Sequence, residues 1–209
     1  MNVKEEKKEL RKKIASKMKE ASSLAIIRYS TLLQKDNGYC TSFLNRFPSY
    51  KETKTVFAYV SLQDEFPTHN LLKHIIKDGK HLALPVVDGK NLVFKEVGIK
   101  NDKLVPLAIG SYGIWEPSSE APIIFPNKKA ILQQFLPLTV VVPGRAFTIS
   151  GERLGHGGGF YDRFFSALFN IVDRSFFSLI GVCFSFQILP YIPKGKYDVS
   201  VDKVFTEKI

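Results

Sequence analysis

Residues 138–164 read Leu138-Thr-Val-Val-Val142, then PGRAFTISGERLGHGGG to Gly159, then Phe160-Tyr-Asp-Arg-Phe164. The first five residues are a continuous apolar, β-branched run, the pattern of a strand buried on both faces. Five glycines then fall within nine residues: Gly151, Gly155, Gly157, Gly158 and Gly159. Residues 160–171 follow as an amphipathic helix with Phe164, Phe165, Leu168 and Phe169 on its apolar side. A buried strand, a glycine-rich turn and a helix form one unit of an open α/β sheet, whose ligands bind beyond the carboxyl ends of the strands.

The residue types in this unit point to bound phosphate. Glycines let the backbone approach a ligand and adopt positive φ. Free N–H groups at the helix start, from Gly159 to Asp162, make an anion site. Arg153 offers a two-pronged charge to a phosphate. Asp162, in the first helical turn, suits Mg²⁺, which is held by one or two carboxylates together with phosphate oxygens. The plainer alternative is a tightly packed turn with Asp162 as a helix-end charge. No G-K-[ST] follows, so this is not a Walker A loop, and Asp162 stands where a dinucleotide fingerprint needs its third glycine.

Outward from this unit, the patterning predicts alternating elements. Leu10, Ile14, Met18, Ala21, Ala25 and Leu32 form one stripe of a long amphipathic helix over 5–34, and 36–50 reads as a short helix or turn. Residues 55–61 read as a buried strand. A helix over 68–78 has Thr68 as N-cap and Gly79 as stop. Strands at 81–87 and 91–97, joined by Asp88-Gly89, make a hairpin. Residues 98–128, rich in Pro, Gly and Ser, read as irregular and, at that length, functional. Further strands are expected at 178–184 and 201–206. The expectation is one α/β domain over 1–209: three layers, a mostly parallel sheet with helices on both faces, and the long N-terminal helix.

Composition narrows the classes. The 209 residues are 44% hydrophobic and 24% charged, ordinary globular values. No apolar run of 18 residues predicts a membrane span, and no apolar segment follows the basic start to make a secretory leader. Cys40 and Cys183 are far apart, with no zinc spacing, which fits a reducing cytoplasm. The net charge of +10 favours anionic partners. Residues 1–20 hold eight Lys/Arg against four Glu, which by itself describes a solvated helix face.

The run Pro143-Gly144…Ala146-Phe147…Gly151…Arg153-Leu154-Gly155…Gly157…Gly159-Phe160-Tyr161-Asp162-Arg163 resembles the signature of the 5-formyltetrahydrofolate cyclo-ligase family, also called methenyltetrahydrofolate synthetases. Lys7-x-x-Leu10-Arg11, Tyr59-Val-Ser-Leu-Gln-Asp-Glu65 with Thr68, Gly113-Ile-Trp-Glu-Pro117 and Asp198…Val201-Asp202-x-Val204 match other family segments in the same order. The resemblance implies conversion of 5-formyltetrahydrofolate to 5,10-methenyltetrahydrofolate with ATP and Mg²⁺, through an N5-iminium phosphate. It implies that Lys7, Arg11 and the segment Arg153, Leu154, Gly155, His156, Gly157, Gly158, Gly159, Phe160 and Tyr161 bind nucleotide. It implies that Val60, Glu65, Trp115 and residues 156–160 bind folate, that Tyr161 and Arg153 act at the reacting groups, and that Asp162 and Asp198 hold Mg²⁺. His156 is given no catalytic duty. Some relatives carry Lys where this chain has Gly158, and Phe160 replaces the first Tyr of a Tyr-Tyr pair. The expected protein is a cytoplasmic monomer with small-molecule partners, ATP and the folate, and neither nucleic acid nor membrane.

Two other readings stay open on residues alone. A sugar-phosphate isomerase on a similar scaffold would need a base beside the phosphate turn and no nucleotide. A nucleic-acid-binding module would use the positive charge and lose affinity steeply with salt.

Overall fold

The computed structural model describes residues 2–21, 44, 46, 48–62, 65–110, 113–126 and 129–208. Its helices are α1 (Val3–Ala21), α2 (His69–Lys77), α3 (Lys129–Leu132) and α4 (Phe160–Phe169). Its strands are β1 (Thr55–Phe57), β2 (His81–Asp88), β3 (Asn91–Lys100), β4 (Lys103–Val105), β5 (Leu107–Ile109), β6 (Trp115–Pro117), β7 (Ile123–Phe125), β8 (Leu138–Val142), β9 (Ala146–Phe147), β10 (Arg153–Leu154), β11 (Phe177–Val182) and β12 (Lys203–Phe205).

Strand β8 is buried at all five residues, as its unbroken apolar run requires. It lies between β11 and β1, both parallel to it, with Leu138 beside Phe177 and Thr55. The main sheet runs β12-β11-β8-β1-β2-β3-β4, with β7 also paired to β3. The five strands from β12 to β2 are mutually parallel, and β3, β4 and β7 add an antiparallel wing. The sheet is therefore mixed, with a parallel body.

Helices cover both faces, and strand parity shows it. Val56, Val141, Ile180 and Val182 join Leu72 and Ile75 of α2 in one buried cluster. Phe57, Val140, Val142 and Leu179 join Phe164, Phe165 and Leu168 of α4 in another. Phe94 stacks on Phe57 at 4.6 Å, and Phe125 meets Phe164 edge-on at 5.1 Å. Each fully buried aromatic ring of this kind contributes roughly 1.5–3 kcal/mol by leaving water. Phe169 is 40% exposed but still stacks between Phe165 and Phe177. No described helix is long and apolar enough to cross a membrane.

Several expected boundaries move. Helix α1 is described to Ala21, and the rest of the expected 5–34 helix and most of 36–50 lie outside the described residues. Thr68 precedes α2 but makes no side-chain cap. Its hydroxyl instead donates to the Tyr59 carbonyl at 2.7 Å and accepts from the Ser61 N–H at 3.0 Å. The strand expected over 55–61 ends at Phe57, and beyond it Tyr59 and Ser61 bond to Thr68. The stretch 98–128 is not irregular. β3 runs on to Lys100, turns through Asn101 and Asp102 at φ 51° and 58°, and pairs back as β4. β5 then pairs with β6, and β7 returns to β3. Strands of three residues are too short to show a period.

Candidate active site

After β1 the chain turns to one side of the sheet, through β2. After β8 it turns to the other, through β11 and β12. Loops leaving the carboxyl ends of β1 and β8 thus diverge, and an open α/β sheet forms its ligand crevice at such a point. A cavity of about 860 Å³ lies there. Tyr59 and Val60, just past β1, and Pro143, just past β8, line it.

The glycine turn forms the cavity wall from Gly155 to Asp162. Gly159 starts α4 at φ +67°, a conformation that a side chain disfavours. The first N–H groups of α4 have no partner within the helix, so they are available to an anion. Arg153 sits on β10, which pairs with β9 to form a small hairpin after β8. Its side chain is only 6% exposed and donates to Asp162 Oδ1 at 2.8 Å and to the Pro143 carbonyl at 3.4 Å. Its Nε is buried with no partner, and so is the Tyr161 hydroxyl. A buried polar atom without a hydrogen bond costs about 1–3 kcal/mol, so these two atoms mark where a ligand would bond. Burial, reinforced by the Glu65 charge, pushes the Tyr161 phenol far up, so it stays a proton donor.

Helix α1 brings Lys7 and Arg11 to the same cavity. Spaced four apart, they share one face of the helix, while Ile14 and Met18 anchor it against Ala146, Leu154 and Ile192. Arg11 Nε donates to the Gly155 carbonyl at 2.7 Å. Burial draws the Arg11 guanidinium somewhat below its usual range, opposed by Asp198. Lys7 pairs with Asp198, which also accepts the Gly195 N–H at 2.5 Å. Burial alone would raise the Asp198 carboxyl, but the bonds from Lys7 and Gly195 and the Arg153 charge bring it below its ordinary value.

From the β1 side, Glu65 reaches the cavity with its side chain 10% exposed. It accepts the Leu62 N–H at 2.9 Å on Oε2 and faces His156 Nε2 at 3.0 Å on Oε1. Trp115, on β6, lines the cavity although 54% exposed. Every expected site residue therefore lines one cavity except Leu154, whose side chain is buried beside Ile14 and Met18. Strand alternation sends Leu154 to the core and Arg153 to the site. Sequence reasoning missed Tyr197, which lines the cavity at 79% exposure, together with Glu116, Lys4 and Lys196. Gly195-Lys-Tyr-Asp198 is an aromatic turn next to an expected carboxylate, and that adjacency was the available signal.

Among the described residues no three His, Cys, Asp or Glu side chains cluster as a metal site. Asp162 and Asp198 both line the cavity, each held by a cation. Two carboxylates do not complete a shell, so this donor set fits a Mg²⁺ ion that arrives with phosphate oxygens rather than one held by protein alone.

The fold, with its cavity where the loops after β1 and β8 diverge, defines an α/β protein of the doubly wound type. The 5-formyltetrahydrofolate cyclo-ligase family model matches residues 3–207, and the chain belongs to that family. It is 26% identical over 208 residues to a mouse 5-formyltetrahydrofolate cyclo-ligase, covering 99% of this chain and 96% of the other. It is 31% identical over 153 residues to a Haemophilus influenzae enzyme of the same name, covering 71% and 73%. The NMR structure of Aquifex aeolicus 5,10-methenyltetrahydrofolate synthetase superposes with a TM-score of 0.69 at 29% identity, covering 97% of this chain and 90% of that one.

Proposed function

We propose that this enzyme converts 5-formyltetrahydrofolate to 5,10-methenyltetrahydrofolate at the expense of ATP, with Mg²⁺. The observation that carries the reading is the cavity itself. One space of about 860 Å³ is lined both by the phosphate-adapted set Lys7, Arg11, Arg153 and Gly155–Gly159 and by Val60, Glu65 and Trp115. It is large enough for a nucleotide tail and a pterin side by side, a few hundred to a thousand Å³ being usual for such ligands.

In the proposed reaction the formyl oxygen attacks the γ-phosphorus and ADP leaves. The resulting N5-iminium phosphate is electrophilic at carbon. N10 attacks that carbon and loses its proton, and inorganic phosphate departs with the formyl oxygen. Phosphoryl transfer of this kind rests on positioning and charge stabilisation, so no protein nucleophile is needed. Lys7, Arg11 and Arg153 hold phosphate oxygens, and the glycine turn lets backbone N–H groups approach them. The Tyr161 hydroxyl, protonated and without a partner, donates to the oxygen on which charge develops. Glu65 accepts from the pterin, and Trp115 offers a face for stacking. Asp162 and Asp198 would hold Mg²⁺, which when bound offsets charge on the phosphates. The proposed setting is a cytoplasmic monomer acting on these small molecules rather than on nucleic acid, because Lys7 and Arg11 of α1 and Arg153 of β10 converge on one cavity instead of lining an open stripe.

The test is the near-ultraviolet absorbance of the methenyl product in a mixture of protein, Mg²⁺, ATP and 5-formyltetrahydrofolate. A rise that needs all four components and stops on chelation is expected. A flat trace from folded protein that binds ATP would overturn the reading.

A further inference from the structure

The contact between His156 and Glu65 joins two parts of the chain 91 residues apart. One is the loop past β1; the other is the glycine turn that precedes α4. Both oxygens of Glu65 are engaged, Oε2 by the Leu62 N–H and Oε1 by His156 Nε2. The carboxylate is thereby held at two points from two loops, and its side chain is almost fully enclosed. A carboxylate with only the Leu62 contact would keep rotamers that turn it away from the cavity. His156 is the more exposed partner, at 38%. Its backbone lies directly beside Gly155, whose carbonyl accepts from Arg11, and beside Gly157 at φ +109°.

We infer that His156 is a positioning residue that orients Glu65 for the folate and ties that orientation to the seating of the nucleotide turn. This rests on the proposed role of Glu65 toward the pterin. An imidazole with its proton on Nε2 donates to Oε1 whether or not the other nitrogen is protonated. The link therefore works through geometry. It also joins the two substrate sites: a nucleotide that fixes residues 155–159 fixes the donor that holds Glu65. Binding of one ligand then lowers the ordering cost for the other.

The experiment is a double-mutant cycle on steady-state kinetics with Glu65→Ala, His156→Ala and the double variant, His156→Gln serving as the conservative replacement. Glu65→Ala is expected to raise the folate KM. His156→Ala should raise it about fivefold, the upper end for a partly exposed pair with a carboxylate, with a smaller change in the ATP KM. In the double variant the His156 effect should vanish, because its target is gone, and His156→Gln should recover most of the folate KM by offering an amide donor. Circular dichroism checks that each variant is folded, and His156→Leu, which keeps bulk and removes the donor, carries the test if His156→Ala is not. A full fivefold effect of His156→Ala on top of Glu65→Ala, or an unchanged folate KM in both His156 variants, would overturn the inference and leave the Glu65 assignment standing. An unchanged folate KM in Glu65→Ala would overturn both.

Discussion

Replacing Asp162 by asparagine removes one negative charge from the cavity and leaves an amide oxygen in its place. The structure separates two consequences. Asp162 accepts from Arg153 at 2.8 Å, and that arginine is 6% exposed. An asparagine oxygen still accepts this bond, so the loss is the difference between a charge-assisted and a neutral hydrogen bond, about 1 kcal/mol. For a chain of this length 1 kcal/mol lowers Tm by roughly 2–4 °C. The catalytic consequence is larger if Asp162 holds Mg²⁺. Loss of a residue that merely supports a metal ligand costs about 10–100-fold, and loss of a ligand costs at least the upper figure, so kcat/KM for ATP should fall about a hundredfold. The assay is methenyl formation at saturating folate with ATP titrated at several Mg²⁺ concentrations, beside a thermal melt. Turnover within a few-fold of the parent would refute the metal role. A melting point lowered by far more than the few degrees expected would show that the pair with Arg153 holds the fold together.

Gly151→Ala should be strongly destabilising. Gly151 has φ +96°, and a Cβ there would overlap the Val201 carbonyl oxygen, so a Tm loss of about 5–10 °C is expected and an unchanged melt would contradict the geometry. Glu152→Gln tests acid stability. Hydrogen bonds from Ser150, then Thr148 and the backbone, hold the Glu152 carboxyl below its usual range. A lowered folded-state pKa stabilises the fold above the unfolded carboxylate value of about 4.3, and that stabilisation disappears as pH falls through the folded value. Urea titrations should therefore show a gap between parent and Glu152→Gln at neutral pH that closes below about pH 4, and a gap independent of pH would count against it.

The sequence signals that proved reliable were those with one local physical cause. The five buried residues of β8 announce a central strand, Gly79 at φ +74° stops α2, and Gly89 at φ +58° turns the hairpin. Lys7 and Arg11 would have been dismissed as solvated without the family pattern, because their partners, Asp198 and the Gly155 carbonyl, lie more than a hundred residues away. The strands after β3 were missed for a different reason. Asn101-Asp102 was a readable turn signal, but β4 to β7 are held by pairing partners rather than by any pattern of their own. Thr68 looked like a helix cap because Thr prefers that position, and only the folded chain shows its hydroxyl committed to Tyr59 and Ser61.

Helix α1 carries Lys7 and Arg11, two of the cations proposed to hold phosphate, yet its fully buried anchors into the body are Ile14 and Met18. Most of its other side chains face solvent, so its seating is among the less costly events to undo. Wherever an unseated helix cannot hold phosphate, seating and nucleotide capture are one equilibrium. ATP at a hundred times its Kd then adds about 2.7 kcal/mol to the seated state. On the proposed function the amino-terminal segment becomes a gauge of nucleotide occupancy: amide exchange and proteolytic cutting within residues 3–21 should slow as ATP rises.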